Sequence, residues 1–168
     1  MASWPEFAAA EPQLAASIHA LIHQYGAGLG YLATVRADGG PRVHPVSPFI
    51  TRDGLYCFVI DSPKRRDLER DGRYALHSFP PEATEDEAYV AGEARLVTDA
   101  ELVHRYATEM RAEPGVDWRL FEFGVDVAMI VRHGQPPGPA GHPGPAVHQV
   151  WRDRHAGSGE VRGDGGVG

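Results

Sequence analysis

Cysteine and lysine are almost missing: one of each, Cys57 and Lys64, stands among 168 residues, against fifteen arginines. A single thiol excludes an intrachain disulfide and any metal cluster of several thiolates. Set in the apolar run LYCFVI, it reads as a buried, inert group in a reduced cytoplasm. Long apolar runs are absent, none approaching the roughly 18 residues that a membrane span needs. The opening MASWPEFAAAEPQ lacks the basic region and apolar core of an export signal. A soluble, cytoplasmic protein with no membrane partner is the expectation. Positive charge is also in deficit, the formal net charge being -7, which counts against a protein whose main work is wrapping nucleic acid.

What is present suits one domain with a hydrophobic core, expected over residues 1–155. The closing AGSGEVRGDGGVG, 156–168, has almost nothing to bury and reads as a disordered tail. In 12–25 the apolar residues Leu14, Ile18, Leu21, Ile22 and Tyr25 recur at helical spacing, with Gly26 as a stop. The period then changes. Runs rich in aromatic and β-branched residues follow at 30–36, 42–50 and 55–60, separated by ADGGP and TRDG, and predict three strands joined by hairpin turns. Pro45 and Pro48 have no N–H to donate, so the second strand is expected to be bulged or to lie at an edge where its backbone can face a ligand.

Further strands are predicted at 73–79, 88–98, 125–133 and 146–153, with an acidic loop at 80–87 and the Pro/Gly-rich loop GQPPGPAGHPGP before the last. Thr98 and Glu101 form a capping-box pattern for a helix ending near Pro114. The expected fold class is mainly β: about six to seven mostly antiparallel strands with a few peripheral helices, closed as a barrel because closure removes exposed edges.

One local feature breaks the acidic trend. DSPKRRDLERDGR, 61–73, gathers Lys64, Arg65, Arg66, Arg70 and Arg73. Ser62 followed by Pro63 opens a helix, which places the first basic residues at a terminus that already carries about half a positive charge. Serine hydroxyl, free N–H groups, ammonium and guanidinium converging there suit a phosphate. The competing reading is a solvated helix in which Arg65 pairs with Glu69, and Arg66 with Asp67 and Glu69.

The runs LATVRADGGPRVHPVSPFI, LYCFVIDSPKRRDLERDGRYALHSF and AYVAGEARLVTD resemble the pyridoxamine 5'-phosphate oxidase-like family of FMN-binding split β-barrels. The resemblance covers 29–99, and SPKRRDL is its most specific part. It implies a homodimer with cofactor at the interface. It also implies that Arg42, Val43, His44, Pro45 and Val46 line the flavin ring and ribityl chain, that Ser62, Lys64 and Arg65 hold the phosphate, and that His77 and Ser78 reach the cofactor from the next strand. The implied activity is that of an FMN-dependent oxidoreductase on a small molecule. The alternatives are a reductase using a deazaflavin coenzyme and a non-catalytic haem- or flavin-binding barrel. The Arg-containing, proline-terminated C-terminal motif of the true oxidases has no counterpart in VWRDRHAGSGEVRGDGGVG, so pyridoxamine-phosphate oxidation itself is not implied.

Other candidates are weaker. His19 and His23 have the i,i+4 spacing of two metal ligands, but no third ligand can be named and no metal is expected. His133, His142, His148 and His155 share only residue type. Trp151 has the shape to cover a cofactor edge, although a terminal tryptophan more often packs. Ser47, Ser78 and the carboxylates form no nucleophile–base arrangement, so no catalytic side chain is assigned. The basic run lacks the interleaved aromatics of a single-strand nucleic-acid binder.

Overall fold

Alternation along the strands decides which side of the sheet is core. The computed structural model describes residues 1–82, 84–133 and 145–154. It contains α1 (Trp4–Ala10), α2 (Pro12–Ile22), β1 (Gly30–Val35), β2 (Pro41–Val46), β3 (Pro48–Ile50), β4 (Leu55–Ile60), α3 (Pro63–Arg70), β5 (Arg73–Ser78), β6 (Glu87–Leu96), α4 (Ala100–Glu109), β7 (Trp118–Phe123), β8 (Val127–Arg132) and β9 (Val147–Arg152). Leu32, Leu76, Val90 and Ala128, from β1, β5, β6 and β8, turn inward and meet Leu14, Ile18 and Ile22 of α2 in one core cluster. Burying each of these larger aliphatic side chains contributes about 1.5–3 kcal/mol. A second cluster, Phe49, Tyr56, Tyr106 and Leu120, forms where α4 covers the other face of β4 and β7.

All strand pairs are antiparallel, in the order β2-β1-β5-β6-β7-β4-β3, with β8 and β9 branching from β6. The two ends of that path, β2 and β3, are successive in the chain and separated by Ser47 alone. The path therefore returns on itself, which makes the fold a split β-barrel. The split lies in β6: residues 87–91 pair with β8, and residues 94–96 with β7. At the handover a Cβ on Gly92 would lie 2.1 Å from the carbonyl oxygen of Gly124. Only glycine lets β6 pass that close to the β7–β8 connection.

The face opposite the first core is also apolar. In register across β2, β1, β5, β6 and β8, it carries the row Val43, Ala33, Ala75, Ala91 and Val127. Beside it runs the row Pro45, Tyr31, His77, Tyr89 and Met129, continued by Val150 on β9. Val43 is 59% exposed and Tyr31 40%.

Several expectations are corrected. The strand expected over 42–50 is broken at Ser47 into β2 and β3, because a donor-less proline on either side weakens pairing and lets the chain turn from β1 to β4. β7 was not predicted. Its sequence WRLFEF buries both faces, Leu120 in one cluster and Phe121 and Phe123 in the other, so it lacks a simple alternation. α1 is a further unpredicted element, closed by a capping box between Ser3 and Glu6. α4 is capped by Asp99, whose carboxylate accepts from the N–H groups of Glu101 and Leu102, rather than by Thr98. The tail at 156–168, most of the Pro/Gly-rich loop, His142 and His155 lie outside the described residues. Among the described residues no helix is long and apolar enough to cross a membrane.

Candidate functional site

The break at Ser47 opens a cavity of about 670 Å³ between β2–β3, the end of β4, the start of α3 and the segment after α4. Its wall is largely apolar, with Pro45, Val46, Phe49, Phe58, Ile60 and Trp118 among the lining residues, and Lys64 opens into it. Gly28 closes one side by close approach: a Cβ there would fall 1.6 Å from the carbonyl oxygen of Pro48.

α3 begins as its sequence dictates. The Ser62 hydroxyl donates to the Ile60 carbonyl (2.9 Å) and accepts from the Arg65 N–H (3.4 Å), while Pro63 occupies the first turn. The five basic residues then divide sharply. Arg65 is buried and donates to the carbonyl and carboxylate of Asp117 at 2.8 and 2.9 Å, with Asp61 at 3.2 Å and Glu69 at 3.7 Å. Arg66 pairs with Asp61, Arg70 with Asp67 and Arg73 with Asp71. Among the described residues none makes a hydrogen bond or ion pair with the Lys64 side chain.

The remaining predicted residues fall into different places. Arg42 turns to Asp67, its Nε donating across 2.7 Å to a carboxylate that also accepts from Thr34 (3.0 Å) and Arg70. Burial alone would raise the Asp67 pKa, but the hydrogen bonds from Arg42, Thr34 and Arg70 hold it below the usual carboxylate range. Val43 lies on the exposed sheet face, and His44 stands opposite Leu32 on the other face of β2. His77 and Ser78 line a second cavity of about 590 Å³ with Tyr31, Glu85, Glu87 and His133. There His77 Nδ1 donates to the Ser78 carbonyl (2.7 Å) and its Nε2 lies 3.3 Å from Glu87. Ser78 is buried, its hydroxyl accepting from the Ala88 N–H at 3.0 Å. Pro45, Val46 and Lys64 thus meet in the first cavity; the others do not line it.

Among the residues of the first cavity that the sequence reading did not assign to a cofactor site are His23, Arg111 and Trp118. His23, just past α2, accepts the Ile50 N–H on Nε2 at 3.3 Å, and burial, reinforced by His19, lowers its pKa. Its i,i+4 spacing from His19 was visible, but the rings stack at 4.6 Å, and among the described residues no group of three potential ligands is arranged to hold a metal. Arg111 and Trp118 also line the cavity, brought there by the turn after α4 and by the unpredicted β7. Cys57 lies beneath, its thiol pushed up to about 12 by burial, which leaves it unreactive.

The model of the family described as pyridoxamine 5'-phosphate oxidase matches residues 14–122. Among solved structures, the chain is similar to a haem-binding protein from Mycobacterium smegmatis, at 20% identity and a TM-score of 0.58 over 80% of this chain and 57% of that one. It is similar to HutZ, the haem storage protein of Vibrio cholerae, at 19% and 0.54 over 68% and 89% of the two chains. A candidate pyridoxamine 5'-phosphate oxidase from Listeria innocua aligns at 17% and 0.55 over 66% and 92%. At these identities the likeness shows the fold. No curated protein sequence matches.

Proposed function

The chain belongs to the pyridoxamine 5'-phosphate oxidase family, and from that premise we propose that it binds FMN in the cavity at Ser47 and serves as an FMN-dependent oxidoreductase acting on a small molecule. The observation that carries this reading is Lys64: a cation with no hydrogen-bond or ion-pair partner among the described residues, at the start of a capped helix, in a largely apolar cavity. Lys64 is half-buried, and a cation partly withdrawn from water beside apolar walls gains from an accompanying anion; a phosphate is such an anion.

Lys64 would hold the phosphate, and Pro45 and Val46 would flank the rest of the cofactor. Bound flavin would supply the redox chemistry. Ser62 fixes where Lys64 stands by capping α3, and Arg65 secures the same turn by its tie to Asp117. Arg42 acts at one remove, holding Asp67 of α3 against β1 and β2. The apolar walls exclude water from the cofactor.

Val43, His77 and Ser78 sit away from this cavity, and they reach a cofactor only if it belongs to a second copy. The apolar outer face of the sheet, from Val43 to Val127, supports a homodimer through that face: shallow alanines flanked by larger apolar groups suit a flat, self-complementary contact.

Haem binding is the second reading, favoured by the haem-binding and haem-storage proteins among the structural relatives. Among the described residues the cavity's one histidine, His23, already spends Nε2 on a backbone N–H, which counts against it as an axial ligand. A deazaflavin coenzyme, also phosphate-bearing, would use the same Lys64. The test is the visible spectrum of the purified protein titrated with FMN, deazaflavin coenzyme and haemin in turn. A perturbed flavin spectrum at one equivalent per chain, bleached by a reduced nicotinamide, is expected. A coordinated-haem band with no flavin response would overturn the proposal.

A further inference from the structure

The cavity holds a second cation that phosphate anchoring leaves unused. α4 ends in a Schellman turn, in which the Ala112 N–H reaches the Ala107 carbonyl (2.9 Å) and the Arg111 N–H reaches the Thr108 carbonyl (3.2 Å). The pivot of such a turn must be left-handed, and glycine normally fills it because it has no Cβ to crowd the carbonyl. Here the pivot is Arg111, at φ +52°, the only non-glycine residue with positive φ among the described residues. Gly115, four positions on, shows the conformation that glycine adopts freely, at φ +84°. Strain is therefore kept where glycine would relieve it, and strain retained beside a cavity points to use of the side chain.

Arg111 is exposed and lines the same 670 Å³ cavity as Lys64, and among the described residues no hydrogen bond or ion pair engages its guanidinium. Among the described residues Glu113 is the one carboxylate on that wall, and His23 accepts an amide N–H on Nε2, which requires that nitrogen to be unprotonated. The described lining thus carries two cations and one carboxylate beside apolar and aromatic side chains. If Lys64 takes the cofactor's phosphate, Arg111 remains for the molecule that reacts with the cofactor. A guanidinium differs from an ammonium in offering two parallel N–H groups, the geometry that matches a carboxylate.

We propose that Arg111 is the carboxylate anchor of the substrate site, and that the chain acts on small, flat, apolar molecules carrying one carboxylate. This rests on the flavin reading, since it assigns Lys64 to the cofactor.

The test compares wild-type protein with Arg111→Gly. Benzoate is the probe and benzamide its uncharged counterpart, both titrated into the FMN-loaded chain and followed by flavin absorbance and tryptophan fluorescence. The expected result is that Arg111→Gly weakens benzoate about tenfold or more, as loss of one charge-assisted contact requires. Benzamide and FMN should bind as before, and the melting temperature should hold or rise because glycine relaxes the turn. A smaller change in benzoate affinity overturns the assignment, as does an equal loss for benzamide. If FMN binds to neither protein the flavin reading has failed. The benzoate titration, read by tryptophan fluorescence on the cofactor-free chain, then still decides for or against Arg111.

Discussion

The N–H of Ile50 donates to Nε2 of His23 across 3.3 Å, so an imidazole just beyond α2 closes an edge of β3, which pairs with β4 alone. The bond requires an unprotonated Nε2, and burial, with His19 beside it, lowers the His23 pKa. The unfolded chain takes up this proton near pH 6.5, whereas the folded chain resists it. The unfolded state therefore binds more protons as pH falls below that value, and stability present above it is lost. Thermal unfolding between pH 8 and pH 5 should show a falling midpoint on the acid side. In His23→Gln, whose amide oxygen can accept the same N–H without titrating, the fall should be shallower. An unchanged slope in that variant would contradict the role given to His23.

Gly28 and Pro48 are in backbone contact, and a methyl group on Gly28 has no room beside the Pro48 carbonyl. Gly28→Ala should destabilise the chain by about 2–3 kcal/mol or more, the upper range for overpacking, because the obstructing atom is backbone and cannot rotate away. Urea unfolding measures it. A loss below about 0.5 kcal/mol, typical of ordinary surface changes, would show that the β2–β3 bend adapts.

Asp67 is the meeting point of Arg42, Arg70 and Thr34. Asp67→Asn should cost about 2–3 kcal/mol, the scale of hydrogen bonds to a charged group in a largely buried place. The carboxylate's pKa lies below its ordinary value, so its contribution is present above about pH 3.9 and fades as pH falls further. Arg42→Ala then separates two roles. Reduced stability with unchanged FMN affinity makes Arg42 a structural partner of α3; reduced affinity in a fully folded variant makes it a cofactor ligand.

The proposed dimer face predicts its own disruption. Ala75, half-buried at the middle of the outer row, pairs with Ala33 and Ala91 on either side. Ala75→Glu should convert a dimer to a monomer in sedimentation velocity at micromolar concentration, since a carboxylate buried there would face its own copy. A dimer that survives would place the contact elsewhere.

Much of the barrel was legible in the sequence because its strands carry strong local signals, such as LYCFVI and the turn chemistry of ADGGP and TRDG. β7 was not, because a strand buried on both faces shows no alternation. Its burial on each side is set by α4 and by the inner core, which are distant in sequence. The candidate site was legible where chemistry is local. Ser62, Pro63 and Lys64 announce, within three residues, a helix start and a cation that no described residue engages by hydrogen bond or ion pair. Arg65, next in line, looked equivalent, yet it is claimed by Asp117, fifty-two residues on. Nothing in the run SPKRRDL distinguishes the two; only the register of β7 beside β4, which brings the 117–118 turn to α3, does so. His23 and Arg111 were hidden for the same reason, each reaching the cavity from an element whose end only the tertiary fold locates.

Lys64 gives the sharpest test of the cofactor site. Among the described residues it has no hydrogen-bond or ion-pair partner to lose, so Lys64→Ala should leave the folding midpoint nearly unchanged, while FMN binding weakens by about 1.5–3 kcal/mol, or roughly 10- to 150-fold, as expected when one charge-assisted hydrogen bond to phosphate is removed. Arg65→Ala should show the reverse emphasis: it strips a buried guanidinium from Asp117 and lowers stability first. Arg105, which pairs with Asp53 at 2.8 Å and stacks on Tyr106, does not line the cavity and is the control whose loss should leave FMN affinity intact. Fluorescence titration of FMN, with unfolding measured on the same samples, separates the three. If Lys64→Ala binds FMN as tightly as wild type while Arg105→Ala does not, the phosphate lies on the α4 side of the barrel and the cavity at Ser47 has another use.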